Sequence, residues 1–484
     1  MTSARSSLRQ LRQRGIPEWW TDAKLGIFVH WTPASVPAFA PTTGTYGDLL
    51  TSGRRDAFAE SPYAEWYENS LRFPDSSVAR HHAATWGDRP YAAFADDFVA
   101  GLAHFDPDGW AATFASAGAR YVVLVAKHCD GWSLWPTAVP HPTRPAWHAE
   151  RDLVGELADA VRRQGMRFGL YYCGGLDWSF RAPPMGSMGG VIAAIPRRDY
   201  PAYAAAQVRE LIERYRPDVL WNDVAWPGSA ASLLDLFTTY YATVPDGVVN
   251  DRWLPWSPAM LLARTALGRR AIDGAARRQA IADGGLIPPR PPHYDVRTPE
   301  YTRFAGIETT PWECVRGMDH SFAYNAASGP DDFLGRDELL ETVVDVAAKG
   351  GNLLLNVGPR GVDATIPEEQ RRRLGWLAEA RPALEAAVFG SRPWAVPGGT
   401  TVEGDPVRYT CRGDEVWATL LRPAAAATLP GVALGATGDA RDLAGAPVPT
   451  TATSAGLRLD LREAPLGPGA PPLVVGLRGA AAAG

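Results

Sequence analysis

Cysteine is scarce in this sequence, which has only four: Cys129, Cys173, Cys314 and Cys411. They stand far apart along the chain, and no two of them form a CxxC spacing. Structural zinc sites and disulfide frameworks need clustered cysteines, so the sequence favours neither. Isolated cysteines are typical of a reducing compartment, and we expect a cytoplasmic protein.

Long apolar stretches are also missing. No run of about 18 apolar residues indicates a membrane-spanning helix. Residues 1–15, MTSARSSLRQLRQRG, have no apolar core of the length that a signal peptide needs. The formal net charge is −5, which gives no reason to expect a nucleic acid or an anionic membrane as a partner. The sequence leaves homo-oligomer formation open.

Tryptophan, by contrast, is abundant, with 18 residues, and several stand beside polar residues, such as Trp31, Trp66 and Trp221. One interpretation is that these rings fill the core and the seams between domains. The other is a sugar site, because the apolar face of a pyranose packs on a flat ring while the indole N–H donates to a hydroxyl.

Short apolar runs alternate with helical patterns over most of the chain. The runs are nearly continuous, which suits parallel strands that are covered on both faces. Repeated βα units of this kind predict a (β/α)8-type barrel. A doubly wound sheet is the alternative, but no GxGxxG follows the first strand. The main predicted strands lie at 24–31, 121–128, 166–172, 216–223, 247–253 and 352–359.

The pattern changes after about residue 390. Residues 408–421, RYTCRGDEVWATLL, alternate around a Gly-Asp turn, and further strand-like runs follow at 456–461 and 472–477. We therefore predict a catalytic barrel at 1–388 and a small antiparallel β-sandwich domain at 389–484. An Arg- and Ala-rich stretch at about 254–292, which ends rich in proline, is predicted to be an insertion in the barrel.

Polar residues stand at the C-terminal ends of the predicted strands, which is the rim where barrel enzymes hold their active sites. These residues are His30, His128, Tyr171, Asp223 and Arg252. The second of these strands ends in the letters KHCD. That ending is compatible with a thiol nucleophile, a metal site or the rim of a ligand site.

Two carboxylates are candidates for catalysis. Asp223 ends a strand between two tryptophans and could be a nucleophile, although Asp at this place also commonly caps a helix. Glu300 lies in the polar loop HYDVRTPEY, where a solvated surface residue is the plainer interpretation. Paired with Asp223, it could act as a general acid in glycoside hydrolysis.

Taken together, the motifs resemble the α-L-fucosidases of glycoside hydrolase family 29, with VLWND, GGLDW and TPEY most similar to bacterial members. They follow the order of the family over roughly residues 17–395. The matching pieces are AKLGIFVHW, AEWYEN, YVVLVAKHCDGW, RDLVGEL, FGLYYCGGLDW, PDVLWNDVAWP, VNDRW, TPEY, WECVRGMDHSFAYN and KGGNLLLNVGP.

The resemblance implies a retaining exo-α-L-fucosidase that acts on fucosylated oligosaccharides or glycoconjugates without a metal or another cofactor. It implies that Asp223 is the nucleophile of a covalent fucosyl-enzyme and that Glu300 is the acid/base. The implied substrate-binding residues fall into hydroxyl-binding, centre-facing and apolar groups. They are His30, Glu65, Trp66 and His128 for the hydroxyls, Tyr171 and Arg252 at the reacting centre, and Phe28, Trp221 and Phe322 around the methyl group.

Two positions depart from the pattern of the family. Cys129 replaces a second histidine, and Thr32 replaces a glycine. A thiol is a weak hydrogen-bond donor, so Cys129 is predicted to contact the sugar and to bear on which sugar fits. The alternatives are a glycosidase for another L-sugar, such as an α-L-galactoside, a sugar-binding protein without catalysis, and a metal-dependent barrel hydrolase.

Overall fold

The centre of the protein is a parallel sheet of seven strands, seen in a computed structural model that describes residues 8–283, 289–422, 425–462 and 472–482. The strands pair in the order β5-β4-β3-β2-β1-β7-β6, and every pairing is parallel. They are β1 (Leu25–Val29), β2 (Tyr121–Lys127), β3 (Arg167–Cys173), β4 (Val219–Asp223), β5 (Val248–Val249), β6 (Trp312–Arg316) and β7 (Gly351–Val357).

The strands are buried along almost their whole length, as their continuous apolar runs predict. Close packing inside the sheet limits side-chain size at some positions. A Cβ atom at Gly26 would lie 2.3 Å from the ring of Tyr121 on the neighbouring strand. The glycine therefore makes room for that ring in the interior.

Helices connect the strands and cover the sheet. The longer ones span Ser77–Trp86, Phe94–Gly101, Pro107–Ser116, Leu153–Arg163, Tyr200–Tyr215, Ala230–Thr243, Ala266–Asp283, Arg336–Ala348 and Glu368–Ala387. The shorter ones span Glu18–Ala23, Tyr46–Thr51, Tyr67–Ser70 and Met188–Ala194. No helix in the described part of the chain is both long and apolar enough to cross a bilayer.

An irregular segment, residues 295–301, lies between the two edge strands of the sheet. The backbone N–H groups of Asp295 and Val296 donate to the carbonyl of Val249 in β5. On the other side, isolated parallel bridges join Arg297 to Trp312 and Glu300 to Val315 in β6. The parallel sheet thus contains the six main predicted strands and also β6, which was not predicted. An eighth regular parallel strand is absent from the described residues.

Two antiparallel sheets follow the parallel one. One has five strands in the order β12-β15-β10-β9-β8, and the other has three in the order β11-β14-β13. Leu429 and Leu457 from the smaller sheet share an apolar core with Val416 and Val475 from the larger, as in a β-sandwich. These strands are β8 (Arg392–Thr400), β9 (Pro406–Arg412), β10 (Glu415–Leu420), β11 (Ala426–Leu429), β12 (Val432–Arg441), β13 (Thr450–Thr453), β14 (Gly456–Asp460) and β15 (Leu473–Ala482).

The stretch predicted to be an insertion contains a 3-10 helix, Pro258–Arg264, followed by the helix Ala266–Asp283. The longer helix packs against the short helices Met188–Ala194 and Tyr46–Thr51. Residues 284–288 of the predicted insertion lie outside the described residues. The division of the chain into domains at residue 388 stays a prediction.

Lys127, one of three lysines in the sequence, forms a fully buried ion pair at the end of β2. Its Nζ lies 2.9 Å from Oδ2 of Asp177, and both side chains are 0% exposed. The ammonium also donates to the backbone carbonyl of Cys173. Burial lowers the pKa of Lys127, but the Asp177 carboxylate, Cys173 and Tyr203 together outweigh that effect, and the pKa is raised.

We expect Lys127→Met to destabilise the protein by about 3 kcal/mol, because it leaves the Asp177 carboxylate buried without its cation. Urea denaturation measures the free energy of unfolding. The double variant Lys127→Met/Asp177→Asn should recover part of the loss, since no lone charge is then buried. A loss below about 1 kcal/mol in the single variant would contradict this account.

Candidate active site

A cavity of about 990 Å³ opens at the C-terminal ends of the parallel strands. It is enclosed mainly by apolar and aromatic side chains with a few convergent polar groups, as binding sites for small molecules usually are. Eleven of the twelve predicted site residues line it. They are Phe28, His30, Glu65, Trp66, His128, Tyr171, Trp221, Asp223, Arg252, Glu300 and Phe322.

Arg252 joins the two candidate carboxylates. Its Nη1 lies 3.0 Å from Oδ1 of Asp223 and 2.5 Å from Oε1 of Glu300. Thr298 holds the rest of the guanidinium, because Nε of Arg252 donates to Oγ1 of Thr298 and Nη2 donates to the carbonyl oxygen of Thr298. The guanidinium also stands over the ring of Trp221, 4.7 Å from its centroid. One buried cation thus holds both carboxylates at a fixed separation.

Each carboxylate also accepts a hydrogen bond from a tyrosine. The hydroxyl of Tyr171, on β3, donates to Oδ2 of Asp223 at 2.9 Å. The hydroxyl of Tyr63 donates to Oε2 of Glu300 at 3.1 Å. These donors fix the orientation of the two carboxyl groups.

The carboxyl group of Glu300 is poised to carry a proton. Burial raises its pKa above the usual value, Arg252 opposes this rise, and the charge of Asp223 adds to it. The net direction is upward, so Glu300 keeps its proton to a higher pH than an exposed glutamate does. A carboxyl group in this condition can donate a proton to a bound molecule.

The two histidines of the cavity are neutral. Burial lowers the pKa of His30 to about 3, and nearby His128 adds to this effect. Burial, followed by the charge of Lys127, lowers the pKa of His128 to about 3 as well. Nδ1 of His30 lies 2.6 Å from Oδ1 of Asn356, and His128 stacks on Tyr171 with its ring 9° from parallel. Neutral imidazoles can exchange hydrogen bonds with hydroxyl groups.

An apolar wall lies beside these polar groups. The ring centroids of Phe28 and Trp221 are 5.3 Å apart, and Phe322 lies against His30 at 5.0 Å. All three rings are at least 95% buried. This wall gives the cavity a dry surface that would leave a polar substituent without hydrogen bonds.

Cys129 is the one predicted site residue that does not line the cavity. It is 1% exposed, and its Sγ lies 3.0 Å from Sγ of Cys173 on the neighbouring strand. Cys129 lies in a turn in which the backbone N–H of Gly131 donates to the carbonyl of His128. Its side chain packs in the apolar cluster that also contains Tyr171 and Trp221 of the cavity. The contact between Cys129 and a sugar stays a prediction.

Sequence reasoning missed several residues of the cavity. Tyr63 and Tyr46 stack on each other with ring centroids 4.9 Å apart, and Tyr63 contacts Glu300. Tyr63 stands two residues before Glu65, so its proximity to a singled-out motif was the available signal. The remaining additions are apolar and have no chemical signature in the sequence. They are Met188, Val191, Ile192, Val224, Leu254, Pro289 and Val315.

No group of three His, Cys, Asp or Glu side chains that could hold a metal ion occurs among the residues that the structure describes. The cavity instead offers two carboxylates on one arginine, neutral histidines and an aromatic wall, at the rim of a parallel sheet. This combination defines a glycoside hydrolase. The family model described as α-L-fucosidase matches residues 2–379, and the chain belongs to that family.

Individual relatives agree with this assignment. The tissue α-L-fucosidase of Bos taurus is 28% identical over 427 residues, which cover 85% of this chain and 76% of the relative. A structure of Thermotoga maritima α-fucosidase with a mechanism-based inhibitor is 35% identical, with a TM-score of 0.80 over 97% of this chain and 98% of the other. Another structure of that enzyme, in complex with fucose, is 35% identical with the same coverage and a TM-score of 0.79.

Glu65 gives the site a pH-dependent cost in stability. Burial raises its pKa from 4.5 to about 8, and the backbone N–H of Ala323, which donates to Oε2 at 2.8 Å, only partly opposes this. A raised pKa in the folded state means that the stabilising contribution of this group is complete below pH 4.5. It is then lost as the pH rises through 8.

We expect Glu65→Gln to remove this loss, because the amide does not titrate. The free energy of unfolding should fall less for the variant than for the wild type, by about 1 kcal/mol or more, between about pH 5 and pH 8.5. Urea denaturation at both pH values measures the difference. Glu18→Gln, on the surface, is the control, and equal pH dependence in both variants would contradict the assignment.

Proposed function

We propose that this protein is a retaining exo-α-L-fucosidase with Asp223 as nucleophile and Glu300 as acid/base. The observation that carries the proposal is the contact of both carboxylates with the same nitrogen of Arg252. Oδ1 of Asp223 and Oε1 of Glu300 are therefore no more than about 5.5 Å apart, the sum of the two contacts. Retaining glycosidases hold their carboxyl groups about 5–5.5 Å apart, whereas inverting ones need a wider gap for water.

In the first step, a carboxylate oxygen of Asp223 attacks the anomeric carbon of the fucosyl unit. The bond from that carbon to the leaving oxygen breaks, and the oxygen takes the proton of Glu300. Arg252 and Tyr171 hold the nucleophile through its two oxygens. The products of the step are a covalent fucosyl-enzyme and a free leaving group.

In the second step, Glu300 is ionised and accepts a proton from water. The resulting oxygen nucleophile attacks the anomeric carbon and displaces Asp223, so fucose leaves with its original configuration. The charge of Arg252, next to both carboxylates, supports Glu300 in its ionised form. The same residue therefore serves as acid and then as base.

The cavity suits a 6-deoxy sugar. Phe28, Trp221 and Phe322 form a dry wall for the methyl group, while a CH2OH group in that place would lose the hydrogen bonds of its hydroxyl. His30, His128 and Glu65, with Trp66, surround the space for the ring hydroxyls. The fucose complex of Thermotoga maritima α-fucosidase supports this choice of sugar. No feature of the cavity favours an α-L-galactoside.

We also infer that residues 295–301 complete a barrel in place of a regular eighth strand. Their hydrogen bonds to both β5 and β6 support this inference. The segment would then serve two purposes, because it closes the ring and places Glu300 at the rim. The sandwich after residue 388 would be a separate domain beside that barrel.

We expect Asp223→Gly to abolish turnover of 4-nitrophenyl α-L-fucoside, with a fall of at least about a thousand-fold in kcat. Added azide should restore release of 4-nitrophenol by attacking the anomeric carbon from the side that Asp223 occupied. The product of that attack is the inverted β-fucosyl azide, which NMR identifies.

Glu300→Gly is the matched control. Here the nucleophile remains, so azide should intercept the fucosyl-enzyme and give the retained α-fucosyl azide. If the two variants gave azides of the same configuration, the assignment of the two roles would be wrong. Full activity of Asp223→Gly would exclude it as the nucleophile.

We expect Tyr63→Phe to move the alkaline limb of the kcat/KM profile to higher pH. The hydroxyl of Tyr63 lowers the pKa of Glu300, so its removal raises that pKa and keeps the acid protonated further into the alkaline range. Tyr46→Phe is the control, because its hydroxyl points to the sulfur of Met188. If the alkaline limb of the kcat/KM profile stayed at the same pH in Tyr63→Phe, the ionisation of Glu300 would not be its cause.

A further inference from the structure

A second cavity, of about 770 Å³, lies beside the catalytic one and is rich in arginine. We call it the arginine groove. Its walls come from residues 49–58 and from the helix Ala266–Asp283. Four guanidinium-bearing residues line it, and they are Arg54, Arg55, Arg270 and Arg277.

The positive charge of the groove is not neutralised from within. Its one acidic residue is Asp273, whose single negative charge offsets only one of the four guanidinium charges, and both of its carboxylate oxygens accept hydrogen bonds from other groups. Oδ2 accepts the hydroxyl of Ser187 at 3.0 Å, and Oδ1 accepts the backbone N–H of Gly189 at 2.7 Å. Within the described residues, no carboxylate lies within 4.0 Å of a guanidinium of the four arginines.

The positive surface continues outward from the groove. An adjoining depression shares Arg55, Arg270 and Asp273 with it. It adds three more arginines and one acidic residue: Arg181, Arg264, Arg269 and Asp56. Seven arginines thus face two aspartates in a chain whose overall charge is −5. This local excess of positive charge is opposite in sign to the net charge of the whole protein.

The groove borders the mouth of the catalytic cavity. Met188, the first residue of the short helix Met188–Ala194, lines both spaces. Val191 and Ile192 of that helix face the catalytic cavity, while Gly190 and Ala193 face the outer depression. Met188 is partly exposed, so a glycan whose terminal sugar occupies the catalytic cavity can extend past this residue to the groove.

We propose that the groove binds an anionic group on the part of the substrate beyond the fucose, a sulfate ester or a uronic acid carboxylate. Guanidinium groups bind such oxyanions with paired hydrogen bonds, and a cleft with charge of one sign raises the local concentration of the opposite charge. This inference rests on the proposed fucosidase function and specifies its substrate class. The fucose itself is neutral, so the groove acts on the leaving group.

The first test compares leaving groups on the wild-type protein. The substrates are α-L-fucosyl-N-acetylglucosamine, its 6-O-sulfate, and α-L-fucosyl-glucuronic acid. Each anionic substrate is compared with the neutral one through the ratio of their kcat/KM values. We expect a preference of at least about five-fold for an anionic substrate at low salt, which falls as about 0.5 M NaCl screens the charges. The sulfate and uronic acid arms show which anion the groove takes.

The second test uses the double variant Arg270→Gln/Arg277→Gln, in which the ratio for the preferred anionic substrate should fall to near one. Arg278→Gln is the matched control, since Arg278 is exposed on the same helix but does not line the groove. Its ratio should equal that of the wild type. An equal fall in both variants would overturn the assignment to the groove.

The outcomes separate this inference from the proposed function. If the wild type hydrolyses 4-nitrophenyl α-L-fucoside but shows no preference for either anionic leaving group, the inference fails and the function stands. If no fucoside is hydrolysed, the proposed function fails and takes the inference with it. A preference that survives high salt would also overturn it, because exposed charges are screened under that condition.

Discussion

The site depends on one buried cation that is shared by two carboxylates. A guanidinium that is taken out of water costs several kcal/mol unless its partners are well placed, and Arg252 is only 7% exposed. Asp223 and Glu300 supply the opposite charge, while Thr298 and the ring of Trp221 occupy the rest of the group. The arginine lowers the pKa of Glu300 against the effects of burial and of the Asp223 charge, so Glu300 can also ionise beside Asp223.

The two carboxyl groups share this cation but have different surroundings. The guanidinium contacts both, but burial raises the pKa of Glu300 even against that contact. Asp223 ends a strand and accepts hydrogen bonds from Tyr171 and from the N–H of Val224. Different surroundings for two otherwise similar groups are the way in which one fold can provide an acid and a nucleophile at one pH.

Much of this architecture is visible in the sequence because continuous apolar runs and polar strand ends are strong local signals. The segment 295–301 was harder to predict from the sequence as part of the sheet. Pro299 has no backbone N–H to donate to a neighbouring strand, and the pairing with β6 consists of isolated bridges. Cys129 shows another limit, because the letters KHCD do not show that its thiol packs against Cys173 rather than lining the cavity. The rim residue Met188 carries no signal at all, as its place is set by a loop and by the helix Ala266–Asp283 that packs on it. Chemistry at strand ends is therefore more predictable than the shape of the mouth.

This difference has a consequence for specificity. Most of the polar groups around the fucose site stand on or beside strand ends, whereas Glu65 stands on the 3-10 helix Ala64–Trp66. These groups are largely buried, and interactions such as the pair of Lys127 and Asp177 brace the strand ends. The arginine groove stands on a surface helix and a loop, where a change of side chain costs little stability. The identity of the sugar and the identity of the leaving group are thus determined by different parts of the chain. A charge at the groove can change without disturbing the carboxylates, because none of its four arginines lines the catalytic cavity.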